Sequence, residues 1–328
     1  MTQMIDDERL DELLHAASPA RTPLTAKPDA DALAMLERIM STDPRPHRTR
    51  NRLLGFASAA VAVVMAAALG ISVLTPSGQA IAGTPPPLAF EGEASVESTV
   101  GAAQKTLADS PGPSEPQRFV RSATWSLNID GDTGATTVVP QLVTLQWEAD
   151  QSGRVVVVDG DQYDPADAAA NASARVSTSG KVSMDLTMKP GEFTTPVATP
   201  PGSTRESLVG ALQALGMPAQ ASAADVTTAM GALLEQWTLT NRQEAELLAI
   251  LGESEGVTAL GRTTDRLGRP VAGMRVVSAD GAASDVILLS LETGRIVGIE
   301  RTNVTENEYM PAGAVIGYRL LDVDGFVR

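Results

Sequence analysis

The sequence predicts an α+β fold: an extracytoplasmic antiparallel β-sheet with its helices gathered on one face, plus a single transmembrane helix. Three observations lead there. An uncharged run of 22 residues, Leu53–Leu74, directly follows a cluster of arginines. Two blocks of alternating apolar and polar residues, one from Arg118 and one from Gly256, flank a central block of helical periodicity over 203–252. Successive strand patterns are separated by short turn sequences, DRLGRP, DGAAS and ETGR, rather than by helices. A parallel sheet would need a crossover helix between neighbouring strands, so the pairing is expected to be antiparallel.

In chain order, residues 1–52 form a tail too short for a core of its own. Ile5, Leu10, Leu13 and Leu14 lie loosely on one helical side, with acidic residues early, where the helix dipole favours them. In DADALAMLERIM, Leu33, Leu36, Ile39 and Met40 recur at helical spacing and make a clear apolar stripe. Two readings fit: a docking helix for a cytoplasmic regulator protein, or a weakly structured tail. The proline-marked SPARTPLTAKP separates the two patterns.

Leu53–Leu74 would measure about 33 Å as a helix, matching a hydrocarbon core, and Pro76 and Gly78 end it. Arg45, Arg48, Arg50 and Arg52 precede it, whereas residues 75–104 hold no basic residue and carry Glu91, Glu93 and Glu97. The positive-inside rule then puts 1–52 in the cytoplasm and the C-terminal part outside, in a single pass of the cell membrane. The rival is a signal peptide cleaved at Ala82-Gly83, after the small-x-small Ala80-Ile81-Ala82. Against it, the arginines start 45 residues in and the apolar run exceeds a signal core of about 7–15 residues.

Residues 75–116, rich in Pro, Gly and Ser, read as a linker that spaces the folded part from the bilayer, with one short helix at ASVESTVGAAQKTLAD. Residues 117–328 read as the extracytoplasmic β-rich domain. Phe119, Trp125, Leu127 and Ile129 anchor its first strand; Val143, Leu145 and Trp147 share one face of the second, with Leu142, Thr144 and Gln146 on the other. GRVVVVDG follows, then two β-prone pieces in ARVSTSGKVSMDLTM. Helices are expected to open at Ser203 with Glu206 and at Ser222 with Asp225, each Ser-x-x-acid, and a third over NRQEAELLAILGE. Five strand patterns complete the chain.

Composition excludes more than it suggests. There is no cysteine, so disulfides, thiolate zinc and cysteine nucleophiles are absent. Of the net charge of −15, residues 75–328 hold 31 acidic and 17 basic side chains, which argues against nucleic acid or anionic lipid as the domain's partner. Gly252-Glu253-Ser254-Glu255-Gly256 matches a nucleophile elbow, but a helix precedes it and a strand follows, the reverse of what an elbow needs. The two histidines, His15 and His47, both precede the span and cannot serve a serine beyond it. Asn128, Asp130 and Asp132, and Asp159, Asp161, Asp164 and Asp167, could ligate calcium, yet neither set has a full calcium-loop spacing, and hairpin turns select the same residues. No catalytic, cofactor or metal residue is expected.

The layout resembles the CU044_5270 family of actinobacterial single-pass membrane proteins. The resemblance rests on IDDERLDELLHAASPA, the arginines before one span, TPPPLAF after it, and TTDRLGRPVAGMRV followed by SDVILLSLETGRIVGIE. Its recurrent pair is a strand entered through Gly-Arg and an apolar strand ending in Thr-Gly-Arg. The resemblance implies the topology, and a layout similar to membrane-bound partners of sigma factors; the family itself carries no assigned activity. Two functional expectations follow. One is a regulatory or signalling protein with a docking tail. The other is a cell-envelope binding module holding an apolar ligand or lipoprotein-like cargo in a concave pocket lined by Val, Leu and Met.

Overall fold

The computed structural model describes residues 87–129, 136–164, 167, 180–306 and 312–323. The expected span Leu53–Leu74 lies outside them; among the described residues no helix is long and apolar enough to cross a membrane.

Helix α1 (Val96–Asp109) is followed by β1 (Phe119–Ile129), β2 (Thr136–Trp147), β3 (Gly153–Asp159) and β4 (Lys181–Met188). Three helices come next: α2 (Arg205–Ala214), α3 (Ala223–Leu234) and α4 (Asn241–Gly252). Strands β5 (Val257–Thr264), β6 (Pro270–Val277), β7 (Ala283–Ser290), β8 (Ile296–Asn303) and β9 (Val315–Leu320) complete the order. All nine strands join one antiparallel sheet in the order β4-β3-β2-β1-β9-β8-β7-β6-β5, as the absence of crossover helices predicts. Two meanders, β1–β4 and β5–β9, therefore meet at the β1–β9 contact. That seam is short: Ala123 pairs with Leu320 and Thr124 with Arg319. The Thr124 hydroxyl strengthens it by donating to the Tyr318 carbonyl at 2.8 Å.

Strand alternation sorts the apolar side chains into two cores, one on each face of the sheet. Val143, Leu145 and Trp147 of β2 face the helices together with Met274, Ile287 and Ile296, and the buried apolar residues of all four helices belong to this one cluster. Leu142 points the other way and joins Ala123, Trp125, Val286 and Leu288. β7 is buried along its whole length because both of its faces are covered, which explains the unbroken apolar run Val286–Leu289.

The helix starts follow the capping pattern with one shift. Ser222 and Asp225 form the expected reciprocal box at α3, and Thr240 with Gln243 does the same at α4. At α2 the cap is Thr204, whose hydroxyl accepts from the Ser207 amide, and not the expected Ser203. Above the sheet, Trp237 packs edge-on against Trp147 (centroids 4.9 Å apart), and Phe193 lies 4.8 Å from Trp147. The Arg118 guanidinium sits 5.0 Å from both indole rings. A cation held between two desolvated rings contributes on the order of 2 kcal/mol and fixes the side of the helical layer where β1 enters.

The folded body begins earlier than the expected boundary at 117. Leu88 and Phe90 pack on the second core, and Val100, Ala103 and Leu107 of α1 enter the first. Glu91 exchanges both main-chain hydrogen bonds with Arg262 of β5, at 2.9 Å each. Residues 87–92 therefore form a strap across one face; the chain rounds the β5 edge and places α1 on the opposite face. This shields an edge strand that would otherwise offer unpaired donors and acceptors.

Gly294, between β7 and β8, has φ +75, and a Cβ there would stand 2.2 Å from the Ala103 carbonyl oxygen of α1. Gly313 has φ +82 but open space around it. Gly313→Ala should therefore cost about 1–2 kcal/mol, the penalty of a left-handed backbone alone. Gly294→Ala should cost distinctly more, because α1 must also move; urea midpoints of the two variants measure the difference.

Candidate functional site

The turns that read as plain hairpin connections hold the best-organised polar chemistry of the domain. In Asp265-Arg266-Leu267-Gly268-Arg269, Asp265 Oδ1 accepts from the amides of Leu267 and Arg269, both at 2.9 Å. Gly268 takes φ +83, which sends the next side chain inward. Arg269 is 5% exposed and completely engaged: Nε donates to Asp265 Oδ2 (2.6 Å), Nη1 to the Leu321 carbonyl (2.5 Å) and Nη2 to the Val297 carbonyl (2.8 Å). One guanidinium thus ties the β5–β6 turn to β8 and to the segment leaving β9.

The second Gly-Arg does the same at the helical layer. Arg295 contacts the Glu244 carboxylate of α4 and donates to Asp322 Oδ2 (2.7 Å), the Leu239 carbonyl (3.1 Å) and Asn241 Oδ1 (2.9 Å). Glu244 Oε2 also accepts from the Ile296 amide at 2.8 Å. Burial pushes the Glu244 carboxyl up to about 8, against the pull of Arg295. Beside this cluster, at the β1–β9 seam, lies a cavity of about 100 Å³ lined by Arg121, Trp237, Glu244, Arg295 and Asp322 among others. Nearby, Arg319 of β9 meets Glu235 at the end of α3, and burial lowers the arginine to about 10.

The third cluster lies on the face opposite the helices. Arg266 Nε donates to Glu300 Oε2 (2.8 Å), and its guanidinium stands 5.1 Å from the Tyr318 ring. Glu300 Oε1 accepts from the Leu88 amide of the strap at 3.3 Å. Burial raises the Glu300 carboxyl above its ordinary range, with Arg266 opposing. Beside the strap a cavity of about 240 Å³ is lined by Leu88, Phe90, Arg275, Val286, Glu300 and Thr302, among others. A carboxylate that accepts a main-chain amide makes a charge-assisted hydrogen bond, which holds the backbone without contacting its side chain.

No family model, curated protein or solved structure matches this chain.

A larger, open cleft of about 850 Å³ lies between residues 107–116, residues 201–203 and the start of α4. Several of its polar groups serve the fold: Gln243 Nε2 donates to the Pro201 carbonyl (2.6 Å), and Asn241 Nδ2 to the carbonyls of Leu107 and Ser110 (2.9 Å each). The topology arginines Arg45, Arg48, Arg50 and Arg52 and the docking stripe Leu33, Leu36, Ile39 and Met40 lie outside the described residues. The Gly252–Gly256 motif is a helix-to-strand turn, with the Ser254 hydroxyl donating to the Ile250 carbonyl at 3.0 Å. Asp159 Oδ1 accepts from Gln141 (3.0 Å) and Ser183 (2.8 Å), bracing β2, β3 and β4. The Asp167 amide closes a turn on the Asp164 carbonyl at 2.9 Å, and Asp130 and Asp132 lie outside the described residues. Among the described residues no group of three or more acidic or histidine side chains gathers that could hold a metal ion. Arg266, Arg269, Arg295, Glu244 and Glu300 were not singled out by sequence pattern; the repeated Gly-Arg marks Arg269 and Arg295, and nothing local marks the other three.

Burial raises the carboxyls of Glu244, Asp285 and Glu300, so each holds its proton to higher pH in the folded than in the unfolded chain. Where the folded state binds more protons, stability falls as pH rises. For Glu244 the window runs from about 4.5 to about 8. The midpoint of thermal unfolding should therefore decline from pH 5 to pH 8.5, and Glu244→Gln, which keeps an acceptor for Ile296, should flatten that slope. A slope unchanged in Glu244→Gln would assign the loss to other groups.

Proposed function

We propose that the chain is a single-pass membrane protein whose sheet domain acts outside the membrane as a regulatory interaction module. The cytoplasmic tail, through Leu33, Leu36, Ile39 and Met40, docks a regulator such as a sigma factor. The observation that supports this best is the strap. It enters the domain at Leu88, soon after the end of the apolar run at Leu74, and is held by Phe90, Glu91 and Glu300. The 13 residues between reach at most about 45 Å at roughly 3.3–3.6 Å each, so the domain stays close to the bilayer on a leash whose end packs against the domain's own core. A binding event that moves the strap is then felt at the span.

The second reading, a carrier of an apolar ligand, needs open space between helices and sheet. In the described residues that layer is filled by Trp147, Phe193, Trp237, Leu247 and Leu251, all essentially inaccessible. The cavity at its seam, about 100 Å³ and partly lined by charged groups, is small beside the roughly 300–1,000 Å³ of usual ligand sites. The open cleft of about 850 Å³ is of ligand-site size, but Leu107 is the one Val, Leu or Met among its lining residues, so it is not the apolar pocket a carrier needs.

The chain contains no cysteine, so introduced ones report cleanly. Glu93→Cys should be labelled by a membrane-impermeant maleimide on intact cells, and Thr22→Cys only after lysis. Equal labelling of both would overturn the topology. Tail residues 1–52 should retain a cytoplasmic protein on affinity capture, and Leu36→Asp with Ile39→Asp should abolish it; a clean capture without such a partner would remove the docking role.

A further inference from the structure

The strap lies in a groove with features that its own closure does not require. Gly273 of β6 leaves room for the Phe90 ring; a Cβ there would stand 2.3 Å from its Cε1. Phe90 and Leu88 are nevertheless only half-buried. The strap's described main-chain hold is three hydrogen bonds: Leu88 to Glu300 and the reciprocal pair between Glu91 and Arg262. The groove also exceeds its occupant. The cavity of about 240 Å³ continues beside Leu88 and Phe90, and Val304 on its rim is 40% exposed. Val277, two residues past Arg275 on the same face of β6, is 46% exposed.

We propose that the groove across β5–β8 is a peptide-binding site that the strap closes from within, and that an extended partner segment displaces the strap. The chemistry of that segment follows from the site. An apolar residue takes the place of Leu88, with its amide on Glu300. An aromatic ring two residues on enters the Gly273 socket, and acidic residues follow it toward β5 and β6. The strap carries this pattern itself, in Leu88-Ala89-Phe90-Glu91-Gly92-Glu93; Arg275 on the cavity wall supplies complementary charge on the groove face, and Arg262 stands opposite Glu91 in the main-chain pair at the β5 edge. Strand-like peptides are held in this way wherever main-chain bonds supply the affinity and one or two pockets choose the side chains. A tethered occupant competes through its high effective concentration, so the closed form dominates until a partner of higher affinity arrives.

The test uses the full chain in detergent and a labelled peptide with the sequence of residues 84–93. Leu88→Ser with Phe90→Ser empties the groove, and this variant should bind the peptide saturably by fluorescence anisotropy. The unmodified chain should bind it about tenfold more weakly or worse, because its own strap competes. Adding Gly273→Leu to the emptied variant should abolish binding. An emptied variant that keeps its cooperative thermal transition yet does not bind overturns the proposal, and so does equal binding by the unmodified chain. Hydrogen exchange on the unmodified chain decides the matter even if the variants fold poorly. The amides of Leu88 and Glu91 should exchange far faster than those of β7, whereas equal protection would mean that the strap leaves only on global unfolding, and the proposal falls.

Discussion

The structure depends on a seam two residue pairs long. β1 and β9 join the meanders through Ala123–Leu320 and Thr124–Arg319, and a contact of this size cannot align a nine-stranded sheet unaided. The alignment comes from charge buried around it. Arg269 reaches from the β5–β6 turn to the carbonyls of Val297 and Leu321, and Arg295 gathers Glu244 of α4 and Asp322 just past β9. Removing one member of a buried ion pair such as Arg269–Asp265 costs about 3–5 kcal/mol, because the partner is left charged and dry, and losing Arg295 would strip its acceptors in α4, Leu239 and Asp322 of their donor, so each arginine restricts its neighbourhood to one arrangement. The helices then close over the seam, with Arg319 meeting Glu235 and the Trp147–Trp237 pair filling the layer.

Much of this architecture was legible in the residues, and the reason is periodicity. Val143, Leu145 and Trp147 alternate strictly because one face of β2 meets helices, and Ser222 with Asp225 marks α3 because unsatisfied amides at a helix start select those side chains. What periodicity could not convey was burial set by distant partners. Arg269 and Arg295 sit after turn glycines, where arginine usually faces water, and nothing local reveals that Leu321 and Asp322 will arrive beside them. The Gly-Arg repeat marks the places without stating the role. Thr204 for Ser203 is a smaller failure, between adjacent hydroxyls that differ only in which one lies a turn from Ser207.

The strap failed to show for a compositional reason. TPPPLAFEGE is what a linker looks like, and two apolar residues among prolines and glutamates do not announce a core contact. Its meaning comes from Gly273, whose missing side chain makes the socket, and from Glu300, an acid that reads as solvent-facing until Arg266 and the Leu88 amide are seen around it. The candidate site is therefore a product of tertiary pairing: backbone from one end of the domain, carboxylate and socket from the other.

The position of β9 has a consequence for how such a molecule is made. It stands at the middle of the sheet, yet it is the last of the nine described strands to be synthesised. As the chain emerges, each meander can zip by local hairpins, but β1 and β8 must both wait with an open edge until Val315–Leu320 appears between them. Arg269 and Arg295 wait as well, since their carbonyl and carboxylate acceptors at 321 and 322 do not yet exist. Completion of the domain is thus a single late insertion, and a ribosome that stalls before residue 315 would release two half-sheets with unpaired inner edges, a form that quality-control proteases and aggregation would both recognise.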